Sequence, residues 1–265
     1  MGLAVRIIPT LLAKGTQLVK GRKFSADRVV GHVLQAARIH QARGVDELII
    51  MDVTATAEDR PPDTLAIDRL SEGCFMPLAV GGGVRSLWDV ESLLRSGADK
   101  VTICTAAMMR PRLIEECAHR FGCQAIVVSI DYRMITIDDG AKVPCVVSNS
   151  GTTALGVGAG ADRGMATPLV VSRTMESAGA GEIILTCVDR EGTMDGYDID
   201  TLRSVAMYLD IPVIAHGGCS GPEDMLRAIA AGASAVAAGA LFQFTDYTPN
   251  DCAQWLAQRG LEVRL

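Results

Sequence analysis

Residues 44–105 and 179–240 align without a gap at one constant offset, 135 positions (179 − 44). Gly44, Glu47, Pro77, Gly82, Gly83, Asp89, Gly97, Ala98 and Val101 recur as Gly179, Glu182, Pro212, Gly217, Gly218, Asp224, Gly232, Ala233 and Val236. Each copy runs strand, helix, strand, Gly-Gly turn, helix, strand, so the chain reads as two half-domains of like build. The glycine turns fall where bare backbone amides hold phosphate, which gives one chain two related phosphate sites.

With 265 residues, 49% hydrophobic content and 27 glycines, the chain suits one α/β barrel better than two small domains. The expected domain is therefore 1–265, with half-barrels over about 1–120 and 121–265. A net charge of −6 without a basic run argues against nucleic acid as a partner. The apolar start Leu3–Leu12 is broken by Arg6 and Pro9, and no run of about 18 uncharged apolar residues is present to span a membrane. A cytoplasmic protein is the expectation. Eight cysteines without a Cys-x-x-Cys pair predict reduced, mostly buried thiols and neither a metal nor a cofactor. Cys104 stands out because it ends a strand beside Thr105, although packing is the simpler role for it.

Apolar, β-branched runs near 5–11, 46–53, 77–81, 100–104, 125–131, 182–188, 211–216 and 235–239 supply eight strands. Helical spacing fills 28–43, 63–73, 86–96, 110–121, 166–178, 199–209, 221–231 and 249–259. Eight βα units with a two-fold repeat favour closure into a (β/α)8 barrel over an open doubly wound sheet. Two long loops, 12–27 and 132–165, follow strands one and five and would rise from opposite sides of one mouth. The Gly-Ala-rich run Gly151–Gly164 is expected to be mobile, as a lid or as a tolerated insertion.

The strand ends populate that mouth. Gly83 with Thr105, and Gly218 with Gly239 and Ala240, place backbone N–H groups at helix starts, which suits the two terminal phosphates of one long substrate. Asp131 closes an apolar strand and is the leading acid/base candidate, ahead of a role as a helix cap or a partner for Lys20. Asp52, Asp189 and Glu191 are secondary: Asp52 would orient Lys20, and Asp189 would pair with Arg190 or bond loop amides. The loop after strand six also brings Gly192 to the mouth.

At the opposite ends, Arg6, Glu47, Lys100 and Glu182 each precede an apolar run. Barrel interiors stack side chains in layers drawn from alternate strands, so Glu47, Lys100 and Glu182 share a layer with Ala235, whose vacancy Arg6 would fill. Two acids and two bases close either a structural plug or a gate to an apolar tube.

From Arg6-Ile-Ile to Gly260-Leu-Glu-Val-Arg the residues resemble the cyclase subunit of imidazole glycerol phosphate synthase. The resemblance rests on Gly44-Val-Asp-Glu-Leu, Val80-Gly-Gly-Gly-Val, Gly97-Ala-Asp-Lys-Val and Asp189-Arg-Glu-Gly-Thr-Met-Asp-Gly-Tyr-Asp. It implies a substrate with a phosphate at each end and a glutaminase partner on the N-terminal face, near Asp99. It also implies ammonia passing the Arg6, Glu47, Lys100 and Glu182 gate. Lys20, Thr105, Thr186, Gly83, Gly218 and Gly239 fit the family's active face, and Asp131 matches one of its two catalytic aspartates. The other is Leu12 here, and Cys104, Glu191 and Ala240 replace the family's Asn, Asp and Ser. This combination resembles a paralogous subfamily associated with amidation of surface-polysaccharide sugars, which supplies ammonia to a separate sugar amidotransferase. A histidine-pathway cyclase and a catalytically silent phosphate-binding scaffold are the alternatives.

Overall fold

The computed structural model describes residues 4–138, 140–156 and 166–264. Eight parallel strands close a barrel among them: β1 (Arg6–Lys14), β2 (Leu48–Asp52), β3 (Leu78–Gly81), β4 (Lys100–Ile103), β5 (Ile126–Thr136), β6 (Glu182–Cys187), β7 (Val213–His216) and β8 (Ala235–Ala238). Neighbours in sequence are neighbours in the sheet, β8 returns to β1, and β5 pairs with β6 to join the halves. Strands covered on both faces need no polar alternation, which is why Leu48-Ile-Ile-Met and Ile183-Ile-Leu read as unbroken apolar runs. Ile8, Ile49, Ala79, Val127, Ile184, Ile214, Ala235 and Ala237 fill the lumen, and a larger apolar shell lies between the strands and the helices.

The offset read from the sequence is geometric. Adding 135 to Thr64–Ser71, Leu78–Gly81, Leu87–Arg95 and Lys100–Ile103 gives the helix Ile199–Ala206, β7, the helix Pro222–Ala230 and β8. The local bonds repeat as well. Asp63 caps its helix by accepting from the Ala66 N–H, and Asp198 does the same from Thr201. Asp89 Oδ2 accepts from the Arg85 N–H at 2.9 Å, and Asp224 Oδ2 from the Ser220 N–H at 2.9 Å.

Both long loops carry structure that periodicity did not reveal. Residues Gln17–Arg22 and Ser25–His32 form an antiparallel hairpin whose first strand pairs with β1 at Leu12 to Lys14. Its turn holds Lys23 and Phe24 at positive φ, 57° and 70°, the backbone a tight hairpin demands. The helix expected from residue 28 therefore begins at Val33; the β-branched pair Val29-Val30 belongs to the hairpin. Beyond the mouth β5 continues to Thr136 and pairs antiparallel with Lys142–Ser148, which pairs in turn with Thr153–Ala154. Most of the Gly151–Gly164 run, from 157 on, lies outside the described residues. Among the described residues no helix is long and apolar enough to cross a membrane.

The repeat makes a quantitative prediction. Asp89 and Asp224 are both buried and hold equivalent turns, so Asp89→Ala and Asp224→Ala should each cost about 1–2 kcal/mol. Urea unfolding of the two variants should give similar losses; a loss confined to one half would show that the two turns are not equivalent.

Candidate functional site

At the N-terminal ends of the strands four charges form a closed square. Arg6 Nη1 meets Glu47 Oε2 at 2.6 Å and Arg6 Nη2 meets Glu182 Oε1 at 2.9 Å. Lys100 Nζ lies 3.0 Å from both Glu47 Oε2 and Glu182 Oε2. Arg6 stands in register with Ala235, whose small methyl side chain carries no charge to the ring. Each carboxylate thus bridges two cations, and no charge in the square is left unpaired. Asp99 lies exposed on the same face, where its carboxylate accepts from the Leu78 N–H at 2.8 Å.

Strand alternation stacks the lumen above this floor. One buried apolar layer, Ile8, Ala79, Val127 and Ile214, covers the ring. The next, Ile49, Thr102 and Ile184, already lines a cavity of about 460 Å³ that opens at the C-terminal mouth. Above it come Thr10, Ser129 and His216, then Met51, Cys104 and Thr186, then Leu12 and Asp131, all in the cavity wall. The Thr10 and Thr102 hydroxyls are buried without a hydrogen-bond partner among the described residues.

Asp131 is the acid of this cavity. Burial pushes its carboxyl up, while hydrogen bonds from Ser129, Cys104 and Thr186 hold it back. Ser129 Oγ donates to Oδ1 at 2.9 Å and Cys104 Sγ to Oδ2 at 3.3 Å. These partners replace the cap and the Lys20 pairing that the sequence left open. Cys104 is a pocket residue, not core packing, and burial with the neighbouring Asp131 charge raises its thiol well above its ordinary value. Leu12 lies two residues before the end of β1, and its hydrocarbon side chain stands in the cavity wall.

Lys20 enters from the hairpin, fully buried, with Nζ donating to the Thr10 carbonyl at 3.3 Å. Gly239 makes room for it, because a Cβ there would lie 2.1 Å from Nζ. Burial lowers the Lys20 ammonium to about 8, opposed by the charge of Glu191. Glu191 lines the cavity, is raised by its own burial, and accepts from the Phe24 N–H at 3.3 Å, so it also ties down the hairpin turn.

The two phosphate cradles differ in access. Gly83, Thr105, Arg85 and Arg110 line the cavity, and Gly83 needs its left-handed φ of 73° and its missing side chain because Arg60 O would lie 2.7 Å from a Cβ. The helix after Cys104, Thr105–Met109, is five residues long, so anion attraction there rests on loop amides and the arginines more than on a helix dipole. Gly218, Gly239 and Ala240 stand outside the lining of this cavity, beside Arg190 and Lys20, and Gly192 packs on the Gly21 carbonyl of the hairpin.

Two secondary carboxylates serve structure. Asp52 binds the Thr54 and Ala55 N–H groups and pairs with Arg60 at 2.7 Å, not with Lys20. Asp189 pairs with Arg133 at 3.3 Å and accepts from the Met134 N–H, not from Arg190. One residue escaped the sequence reading: His216, whose Nδ1 lies 3.2 Å from Thr186 Oγ1. It precedes the Gly217-Gly218 turn that drew attention, yet alternation from Ile214 points it into the lumen. Burial, and secondarily the Lys20 charge, lower its imidazole to about 4 and keep it neutral at pH 7.

The arrangement defines a (β/α)8 barrel with an acid-lined pocket at one end and a neutralised charge ring at the other. The chain belongs to the family described as "Histidine biosynthesis protein", whose model matches residues 6–248. It is similar to the imidazole glycerol phosphate synthase subunit HisF of Frankia casuarinae, 42% identical over 264 residues that cover 100% of each chain.

Two outcomes follow from the charges. Lys100→Met leaves Glu47 and Glu182, side chains 3% and 13% exposed, without one of their two cations, and should cost about 3 kcal/mol in chemical denaturation. Lys20 gives a pH signature: with its folded value near 8 against 10.5 unfolded, the folded chain releases its proton first as pH rises. Stability should therefore climb between those values, and Lys20→Met should remove that increment from the pH–stability curve.

Proposed function

We propose that this chain is the synthase-side barrel of a glutamine amidotransferase of the imidazole glycerol phosphate synthase type. A glutaminase docks at the N-terminal face around Asp99, ammonia passes the Arg6–Glu47–Lys100–Glu182 ring, and a phosphorylated acceptor binds at the mouth. The observation that carries this reading is the short distance in layers between ring and pocket: a single apolar layer separates them. A small neutral molecule crosses such a layer at little cost, whereas ammonium would lose its hydration. The Thr10 and Thr102 hydroxyls, unpartnered just above, give such a molecule its first hydrogen bonds.

Chemistry at the mouth divides two versions of the reading. Ring closure with cleavage of the substrate calls for two proton-transfer groups, and Leu12 is not one. We therefore assign the ammonia to amidation of a surface-polysaccharide sugar, with a separate amidotransferase as a further partner. The glycines of both cradles and Lys20 hold the phosphorylated ligand, and Asp131 and Glu191 supply the carboxylates. A histidine-pathway cyclase is the second version, favoured by the full-length similarity to a relative of that name and by Lys20, Thr105 and Asp131.

The two versions separate on one assay. Purified protein given ammonia and the family's aminoimidazole precursor should cyclise it about 10²–10⁴-fold more slowly than a two-carboxylate relative, the range expected for loss of one acid/base group. Leu12→Asp should raise that rate. Turnover matching the relative's without an aspartate at position 12 would establish the cyclase instead.

A further inference from the structure

The mouth contains a proton-transfer group that the aspartate pattern does not include. Asp131, Thr186 and His216 are consecutive register partners: Asp131 pairs with Thr186 across β5 and β6, and Thr186 with His216 across β6 and β7. In-register residues of parallel strands point the same way, so carboxylate, hydroxyl and imidazole stand in a row along the lumen, and all three line the cavity. We propose that His216 is a catalytic base of this site, oriented through Thr186 by Asp131, and that it moves the proton as ammonia adds to the acceptor. This rests on the reading that ammonia reacts with a phosphorylated acceptor at the mouth.

Hydrogen-bond accounting points to one tautomer. The Thr186 hydroxyl has one proton, and its register partner Asp131 is the acid beside it, on which Thr186 has a lowering effect. With that proton directed at Asp131, the Thr186 oxygen accepts from His216, and the proposed tautomer carries its hydrogen on the Nδ1 at 3.2 Å. Nε2 is left as the bare acceptor, without a hydrogen bond among the described residues, on a ring that borders the cavity. A carboxylate that fixes the tautomer of an imidazole and stabilises its protonated form is the arrangement by which a weak base becomes an effective one; here a hydroxyl is interposed.

The step balances with this one residue. As the ammonia lone pair bonds to a carbonyl carbon of the acceptor, a proton leaves nitrogen for Nε2. The imidazolium then gives that proton to the carbonyl oxygen, now an alkoxide, yielding the amino alcohol adduct and restoring the neutral ring. No net proton, electron or co-reactant is needed. Burial first, and the Lys20 ammonium second, oppose the protonated ring, and Asp131 and Glu191 are the acids that line the same cavity. A phosphate seated near Lys20 cancels part of its charge and so relieves the second of these effects.

Nitrogen-15 NMR of the imidazoles, with inorganic phosphate as the probe, tests the base without any substrate. At pH 7 His216 should show a protonated Nδ1 and an unprotonated Nε2, Thr186→Val should mix the tautomers, and phosphate should move the His216 titration upward. A His216 protonated on Nε2, or indifferent to Thr186→Val, would overturn the proposal. In the complex with a glutaminase, His216→Gln should lower ammonia-dependent conversion of the aminoimidazole precursor by about 10²-fold. Leu12→Asp in that background should restore part of the loss, with phosphate binding unchanged. Conversion as fast as the unsubstituted chain would refute the catalytic role. A wild-type complex with no conversion of any phosphorylated acceptor would sink the proposed function, and the NMR result would still decide the state of His216.

Discussion

Four charges inside a barrel lumen impose the tightest constraint on this structure. Arg6, Glu47, Lys100 and Glu182 are each largely withdrawn from solvent and would be costly unpaired, and each is matched by two opposite charges of the square. Closure depends on strand register: Glu47, Lys100 and Glu182 come from alternate strands, and the fourth corner is open because Ala235 is small. A shift of one residue in β1, β2, β4 or β6 would turn a charge into the apolar shell around the barrel. Well-packed hydrocarbon would serve a mere plug at least as well, which is the reason we propose the polar ring as a floor that opens.

Above that floor, the lumen changes from hydrocarbon to hydroxyl to acid and base over a few layers. Ile8, Ala79, Val127 and Ile214 give way to Thr10, Ser129 and His216, and these to Asp131 under the rim. Burial sets the charge states in this gradient: it pushes Asp131 and Glu191 up, and Lys20 and His216 down. Asp131, Glu191, Lys20 and His216 are thereby all moved toward neutrality, which suits the ammonia chemistry proposed for this site.

The repeat, the closed barrel and the ring were legible in the sequence because each depends on spacing alone. Glu47, Lys100 and Glu182 announce themselves by preceding apolar runs, and the vacancy at Ala235 follows from the offset. The hairpin at Gln17–His32 was not legible, since Arg28-Val-Val reads as the start of a helix until β1 offers an edge to pair with. Side-chain pairing across strands was equally hidden. Nothing near Asp52 in the sequence marks Arg60 as its partner, and the row Asp131, Thr186 and His216 spans 85 residues (216 − 131). Asp131 stands out in the sequence because it closes the apolar run Ile126–Ile130, although the strand itself continues to Thr136; His216 does not, because the glycines after it carry the repeat.

Passage of ammonia through the barrel, as proposed, is open to a test by isotope competition. The complex with a glutaminase would be given glutamine labelled with nitrogen-15 in its amide, in a large excess of unlabelled ammonium, and the amidated product analysed by mass. A closed conduit across the ring predicts product that keeps most of the label. Product carrying nitrogen in the proportion of the bulk pool would contradict it and leave Arg6, Glu47, Lys100 and Glu182 as packing.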